Sequence, residues 1–233
     1  MCLGLLAIAL PARAEEATIA VAANFLTTAR TLAEAYEAES GHDLILAHGS
    51  TGRLYAQILA GAPFDLFLAA DQARPADLET RGVAVARMTY AVGEVVLVSR
   101  TPIADPLAEL DSTRVALANP EIAPYGATAC AALAAIGGDC AGLEARMGDS
   151  VGQAASLFVT GNADLALLAR SQLPSLDGTI HVHRFDVPEG RLAQDAVLLA
   201  RGADNPAARG FYDFLATEAA RATMDAAGYE RAE

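Results

Sequence analysis

The chain has 233 residues, 53% of them apolar, with no tryptophan and a formal net charge of −13. That length suits one large domain or two small ones, and so acidic a balance argues against holding nucleic acid or an anionic membrane through a general field. No apolar run reaches the roughly 18 residues that suggest a membrane-spanning helix.

The N-terminus is read first. Cys2 to Leu10 form a short apolar run, followed by Pro11, Ala12-Arg13-Ala14 and Glu15-Glu16. This is the pattern of an export signal with a small-residue cleavage site, so cutting is expected after Ala14 and the mature protein is expected outside the cytoplasm, in the periplasm. The basic segment that normally precedes such a run is missing. A start further upstream and a buried N-terminal strand therefore remain as alternatives, although Pro11 and Arg13 would interrupt the strand. If the signal is removed, Cys2 goes with it. Cys130 and Cys140 then form an even pair in an oxidising compartment, expected to bond across Gly137-Gly138; two separate buried thiols are the other reading.

Past the signal, strands and helices alternate. Thr18 to Ala22 reads as a buried strand, and Leu26, Ala29, Leu32, Ala33 and Tyr36 recur at helical spacing until Ser40-Gly41. Strands are expected at Asp43–Ala47 and Phe64–Ala69, with helices around Leu54–Leu59 and Pro75–Arg81. Further strands follow at Glu94–Val98, Arg114–Ala118, Leu165–Ala169 and Asp195–Ala200. Helices are expected at about 127–136, 153–160, 206–217 and 218–227. Alternation of this kind predicts an α/β fold whose sheets are mainly parallel, flanked by helices on both faces. Ligands of such sheets sit beyond the carboxyl ends of strands, beside helix N-termini.

Four strand-to-helix junctions share one pattern of small and hydroxyl residues: Ala22-Ala23-Asn24-Phe25, Gly49-Ser50-Thr51-Gly52, Ala123-Pro124-Tyr125-Gly126 and Asp149-Ser150-Val151-Gly152. A helix start exposes unpaired N–H groups and carries roughly half a positive charge. Several aimed at one point hold an anion without lysine or arginine, which is how an acidic protein can bind one. Each junction also has a plain reading, because Asn24, Ser50, Thr51 and Ser150 are ordinary helix caps. Spacing alone does not bring the four together.

The segment Ala60-Gly61-Ala62-Pro63-Phe64-Asp65-Leu66-Phe67-Leu68-Ala69-Ala70-Asp71 is more specific. With the first two junctions, Asn119-Pro120-Glu121, Pro124-Tyr125-Gly126, Phe211-Tyr212-Asp213-Phe214-Leu215 and Gly228-Tyr229, it closely resembles the periplasmic molybdate-binding proteins of ABC transporters, over essentially the whole mature chain. The resemblance implies a two-lobed periplasmic-binding-protein fold of type II, closing on its ligand about two crossing strands. Residues 15–94 and 197–233 would form the first lobe and 95–196 the second, after a signal at 1–14.

It also implies capture of molybdate or tungstate for a membrane permease, by a monomer, with no cofactor and no catalysis. Asn24 and Ser50 match first-lobe contacts of that family. Tyr125 and Val151 match second-lobe contacts, Val151 through its backbone N–H, and Ala23 lies where some relatives carry a hydroxyl. Ala169 stands where many relatives place a tyrosine, so Tyr125 is expected to supply the phenol. The metal of the oxyanion would be reached only through these same residues. Asp149 would repel a dianion and is expected to point away or to cap its own helix. His48, Arg53 and Arg170 near the cleft are read as solvated or paired with rim acids, with assistance in capture as the alternative.

Rival readings are a same-fold binder of sulfate, phosphate or an iron complex, a secreted hydrolase, and a regulator using this fold as a sensor. His181 and His183 could face one side of a strand, but no third metal ligand stands at suggestive spacing. No G-x-S-x-G, H-E-x-x-H or P-loop pattern is present. No helix-turn-helix segment supports the regulator.

Overall fold

The computed structural model describes residues 14–111 and 113–231. The expected export signal lies outside them except for Ala14. In chain order the elements are β1 (Glu16–Ala22), α1 (Leu26–Ser40), β2 (Asp43–Gly49), α2 (Thr51–Leu59), β3 (Leu66–Leu68), α3 (Ala73–Thr80), β4 (Ala84–Ser99), α4 (Pro106–Asp111), β5 (Val115–Ala118), α5 (Pro124–Ala135), β6 (Ala145–Gly148), α6 (Val151–Val159), β7 (Leu165–Ala169), β8 (His181–Arg184), β9 (Arg191–Leu199), α7 (Pro206–Phe214) and α8 (Glu218–Ala226).

The strands are ordered β2-β1-β3-β9-β4-β7-β5-β6, with β8 also pairing β4. The expectation of mainly parallel sheets holds only in part. β2, β1 and β3 are mutually parallel, as are β6, β5 and β7, and of these β1, β2, β5 and β6 feed the four junctions. β9 runs antiparallel to β3 and β4, and β4 antiparallel to β7 and β8. The reason is topological. β4 carries the chain out of the first lobe and β9 brings it back, so two neighbouring crossing strands must run in opposite directions.

β4 is much longer than expected. Its first half, Ala84–Glu94, pairs with β9, and its second half, Val95–Ser99, pairs with β7. The first half escapes a hydrophobicity reading because Arg87, Thr89 and Gly93 break the apolar run. Arg87 stays there by pairing with the fully buried Asp195 of β9 at 2.6 Å. β6 (Ala-Arg-Met-Gly) was not expected either, being a partly exposed strand at the end of the sheet order with no apolar run. α5 begins three residues earlier than expected, because Pro124 presets the first helical turn rather than breaking it.

Burial follows the two-residue period of the strands. In β3, Leu66 and Leu68 pack with Phe25, Leu32, Phe211 and Met224 on one face, whereas Phe67 packs with Leu54, Ile58, Leu78 and Val197 on the other. The first-lobe sheet is therefore covered on both faces. A separate cluster around Val96, Leu97, Leu117, Leu133, Phe158 and Leu167 forms the core of the second lobe. Cys130 and Cys140 are joined in a disulfide with Cα atoms 5.3 Å apart, which ties α5 to the turn after it and restricts the unfolded chain.

Candidate anion-binding site

All four junctions lie at the seam between the lobes. Ala23, Asn24, Ser50, Tyr125 and Val151 line one small cavity of about 10 Å³, together with Thr51, Ser150, Ala22, Ala70, Ala123 and Pro124. No charged side chain is among them. A larger groove adjoins the cavity, sharing Ala23, Ser50 and Ser150 with it and adding the charged rim residues Arg53 and Asp149. Ala23–Phe25 form a single 3₁₀ turn leading into α1, and α2, α5 and α6 begin at Thr51, Pro124 and Val151. Helix geometry leaves the N–H groups at such starts without an intrahelical acceptor. Two starts come from each lobe, so neutral donors approach the cavity from both sides.

The side chains divide sharply. Ser150 is a true cap, its Oγ accepting from the Gln153 N–H at 3.3 Å. Ser50 occupies the equivalent place before α2 yet makes no capping bond. Its hydroxyl is buried and, among the described residues, is the one buried side-chain oxygen or nitrogen with no hydrogen-bond partner. An orphaned hydroxyl costs about 1–3 kcal/mol and is found where something else satisfies it. Thr51 is spent on the fold, its Oγ1 accepting from the Ala70 N–H at 3.1 Å.

Asn24 is only 5% exposed. Its Nδ2 donates to Gln194 Oε1 at 2.9 Å and to the Tyr229 hydroxyl at 3.1 Å. The Asn24 amide hydrogens are thus used within the protein. Tyr125 is 3% exposed, and its hydroxyl accepts from Gln194 Nε2 at 3.3 Å. Burial pushes the Tyr125 phenol well above its ordinary range, with the neighbouring Tyr229 adding to the rise. Tyr125 therefore stays protonated near neutral pH and keeps a hydrogen to donate. Ala169 is fully buried at the end of β7 and offers no side-chain donor.

The rim carries the charges. Asp149 turns from the cavity to Arg53 of the first lobe at 2.6 Å, which answers both the concern about its charge and the question of Arg53. Arg170 pairs with Glu94 at 3.4 Å. His48 is exposed on a groove outside the cavity. The lobes also meet through backbone, the Gly52 N–H donating to the Ile122 carbonyl at 2.9 Å. A methyl group at Gly52 would sit 2.7 Å from that oxygen, so the approach requires glycine. His181 and His183 lie on β8. No cluster of three or more metal-ligating side chains occurs among the described residues.

Sequence reading missed Gln194, Tyr90, Tyr229 and Gly93 as parts of this neighbourhood. The available signal was Gln194-Asp195 inside an otherwise apolar strand, since buried polar side chains need partners.

Residues 17–230 match the family model described as bacterial extracellular solute-binding protein. The chain is 40% identical to the molybdate-binding protein ModA of Azotobacter vinelandii, over 97% of this chain and 93% of that protein. It is 39% identical to ModA of Rhodobacter capsulatus, over 95% and 91% of the two chains. The solved periplasmic molybdate-binding protein of Azotobacter vinelandii superposes with a TM-score of 0.83 and 31% identity, covering 93% of this chain and all of that one. By this match over nearly its whole length and by these relatives, the chain belongs to the bacterial extracellular solute-binding protein family.

Proposed function

We propose that this protein captures molybdate, or the nearly isosteric tungstate, outside the cytoplasm and delivers it to the permease of an ABC transporter. It does so as a monomer after cleavage following Ala14, with no cofactor and no catalysis. Lobes of residues 15–94 with 197–233 and of 95–196 close over the anion, which contacts Ala23, Asn24, Ser50, Tyr125 and Val151. The observation carrying this reading is the small seam cavity, lined by uncharged helix starts and by the unpartnered Ser50 hydroxyl.

A tetrahedral dianion leaving water loses a large hydration energy. Hydrogen bonds to a charged group recover roughly 1.5–3 kcal/mol each. About seven such donors suffice for nanomolar capture, near −12 kcal/mol, after association costs. A lining that offers donors without a carboxylate favours a fully deprotonated anion, because a protonated phosphate needs an acceptor for its hydrogen. Sulfate has the right charge but is smaller, and would sit at stretched hydrogen-bond distances in a pocket shaped for longer metal–oxygen bonds.

Calorimetry of residues 15–233 against molybdate, tungstate, sulfate and phosphate tests the reading. Tight binding of the two metal oxyanions with much weaker sulfate is expected. Ligand at a thousand times its Kd should also stabilise the fold by about 4 kcal/mol. Tighter sulfate or phosphate binding would move the protein to another ligand, and no heat with any of the four would end the oxyanion reading.

A further inference from the structure

The buried polar groups beside the cavity form a chain of hydrogen bonds that runs in one direction, flanked by Ser171, which also donates to the Asn24 carbonyl at 3.3 Å, and by Tyr90, whose hydroxyl lies 3.3 Å from Gln194 Oε1. It begins at the backbone carbonyl of Asn24, which can only accept. The Tyr229 hydroxyl donates to it at 2.9 Å. With that hydrogen committed, the Tyr229 oxygen can only accept from the Asn24 side chain, so the group facing it at 3.1 Å must be Nδ2. The second hydrogen of Nδ2 goes to Gln194 at 2.9 Å, which requires Oε1 there. The other end of the Gln194 amide, Nε2, then faces the Tyr125 oxygen at 3.3 Å and donates. The Tyr125 oxygen is occupied as an acceptor, and its own hydrogen is left for the cavity.

We infer that Gln194 is a positioning residue that sets the polarity of Tyr125, holding its phenol as a hydrogen-bond donor to the captured anion. Gln194 is fully buried and reaches no bulk water that could take over this task. It lies on β9 opposite Ala91, and Gly93 stands two residues further along β4 on the same face. A methyl group at Gly93 would fall 2.1 Å from the Tyr125 hydroxyl and 2.4 Å from Gln194 Nε2. The bond between these two groups fits because residue 93 has no side chain. The two crossing strands thus do more than join the lobes. One supplies the amide and the other the space, and together they couple Asn24 of the first lobe to Tyr125 of the second.

The inference rests on the cavity being the oxyanion site, so wild type and Ser50→Ala are titrated with molybdate alongside the test. The test is a double-mutant cycle of Gln194→Met and Tyr125→Phe, read as molybdate Kd by calorimetry, with melting temperature checking the fold. Gln194→Met should weaken binding by roughly tenfold to a hundredfold, the worth of one hydrogen bond to a charged group. In the Tyr125→Phe background the same change should cost less than about threefold, because no hydroxyl remains to orient. Equal cost in both backgrounds means a merely structural role and overturns the inference. If Gln194→Met does not fold, neutron diffraction of the deuterium-exchanged wild-type complex decides. Deuterium between Tyr125 and the oxyanion supports the inference, and deuterium directed at Gln194 overturns it. If wild type gives no heat with molybdate, or Ser50→Ala binds as wild type does, the site reading itself fails and the inference with it. If Ser50→Ala weakens binding while the cycle shows no coupling, only the inference fails.

Discussion

Ser50 and Ser150 occupy matching places, each preceding a nine-residue helix at the seam, one in each lobe. Ser150 closes the first turn of α6 by accepting from Gln153, whereas Ser50 leaves its hydroxyl unused. The difference lies in what the rest of the molecule does for the two helices. At the start of α2 the Gly52 N–H is already satisfied by the Ile122 carbonyl of the other lobe, and Thr51 is held against Ala70. A helix start supported from outside does not need its own cap, and the serine hydroxyl is left without a partner. One residue type in one local context thus serves the fold in one lobe and, on the proposed reading, the ligand in the other.

That contrast can be broken by substitution. The largest effect is expected from Ser50→Ala, which should weaken molybdate binding by about 1.5–3 kcal/mol, at least tenfold. The ligand-free protein should melt no lower than wild type, because the lost hydroxyl bonds nothing there. A drop in melting temperature with unchanged affinity would make Ser50 a cap after all. Gly52→Ala should come next. Its methyl group collides with the Ile122 carbonyl and opposes closure, costing about 1–3 kcal/mol of affinity, and X-ray scattering with saturating molybdate should show a more open particle. Unaltered affinity would mean that the lobes need not meet there.

Ser150→Ala sharpens the other side of the comparison. It should lower the unfolding free energy by about 1 kcal/mol, the usual worth of a helix cap, as read by denaturant titration. Its effect on affinity should be smaller than that of Ser50→Ala, and the reverse order would exchange the two assignments. The smallest effect is expected at the rim. The Arg53–Asp149 pair bridges the lobes, but both side chains are about half exposed. Arg53→Ala should therefore cost less than about 1 kcal/mol of affinity at low salt and fade as salt screens the pair. A loss of a hundredfold that persists in high salt would instead make Arg53 part of the binding machinery.

Much of this protein could be read from local pattern, because periodicity and helix-start chemistry are properties of a few neighbouring residues. The strand at Leu165–Ala169, the helix from Leu26 to Ser40 and the four hydroxyl-rich junctions all declare themselves in this way. The resemblance carried by Ala60 to Asp71 and by Pro124-Tyr125-Gly126 extended the reading to five residues, and these line a single cavity. What escaped were features whose reason lies far away along the chain. Arg87 is tolerated in a strand because Asp195, more than a hundred residues later, neutralises it. The antiparallel course of β4 and β9 follows from crossing between lobes and returning. That Ser50 leaves its helix uncapped, while the neighbouring Gly52 N–H is satisfied by a carbonyl of the opposite lobe, shows only in the folded chain. The direction of the Tyr125 hydrogen depended on a chain of donors through Gln194 that only folding assembles. Local sequence governs which elements form, since their energetics are short-ranged. The direction of a hydrogen bond at the seam is decided by groups from distant segments, and those meet only in three dimensions.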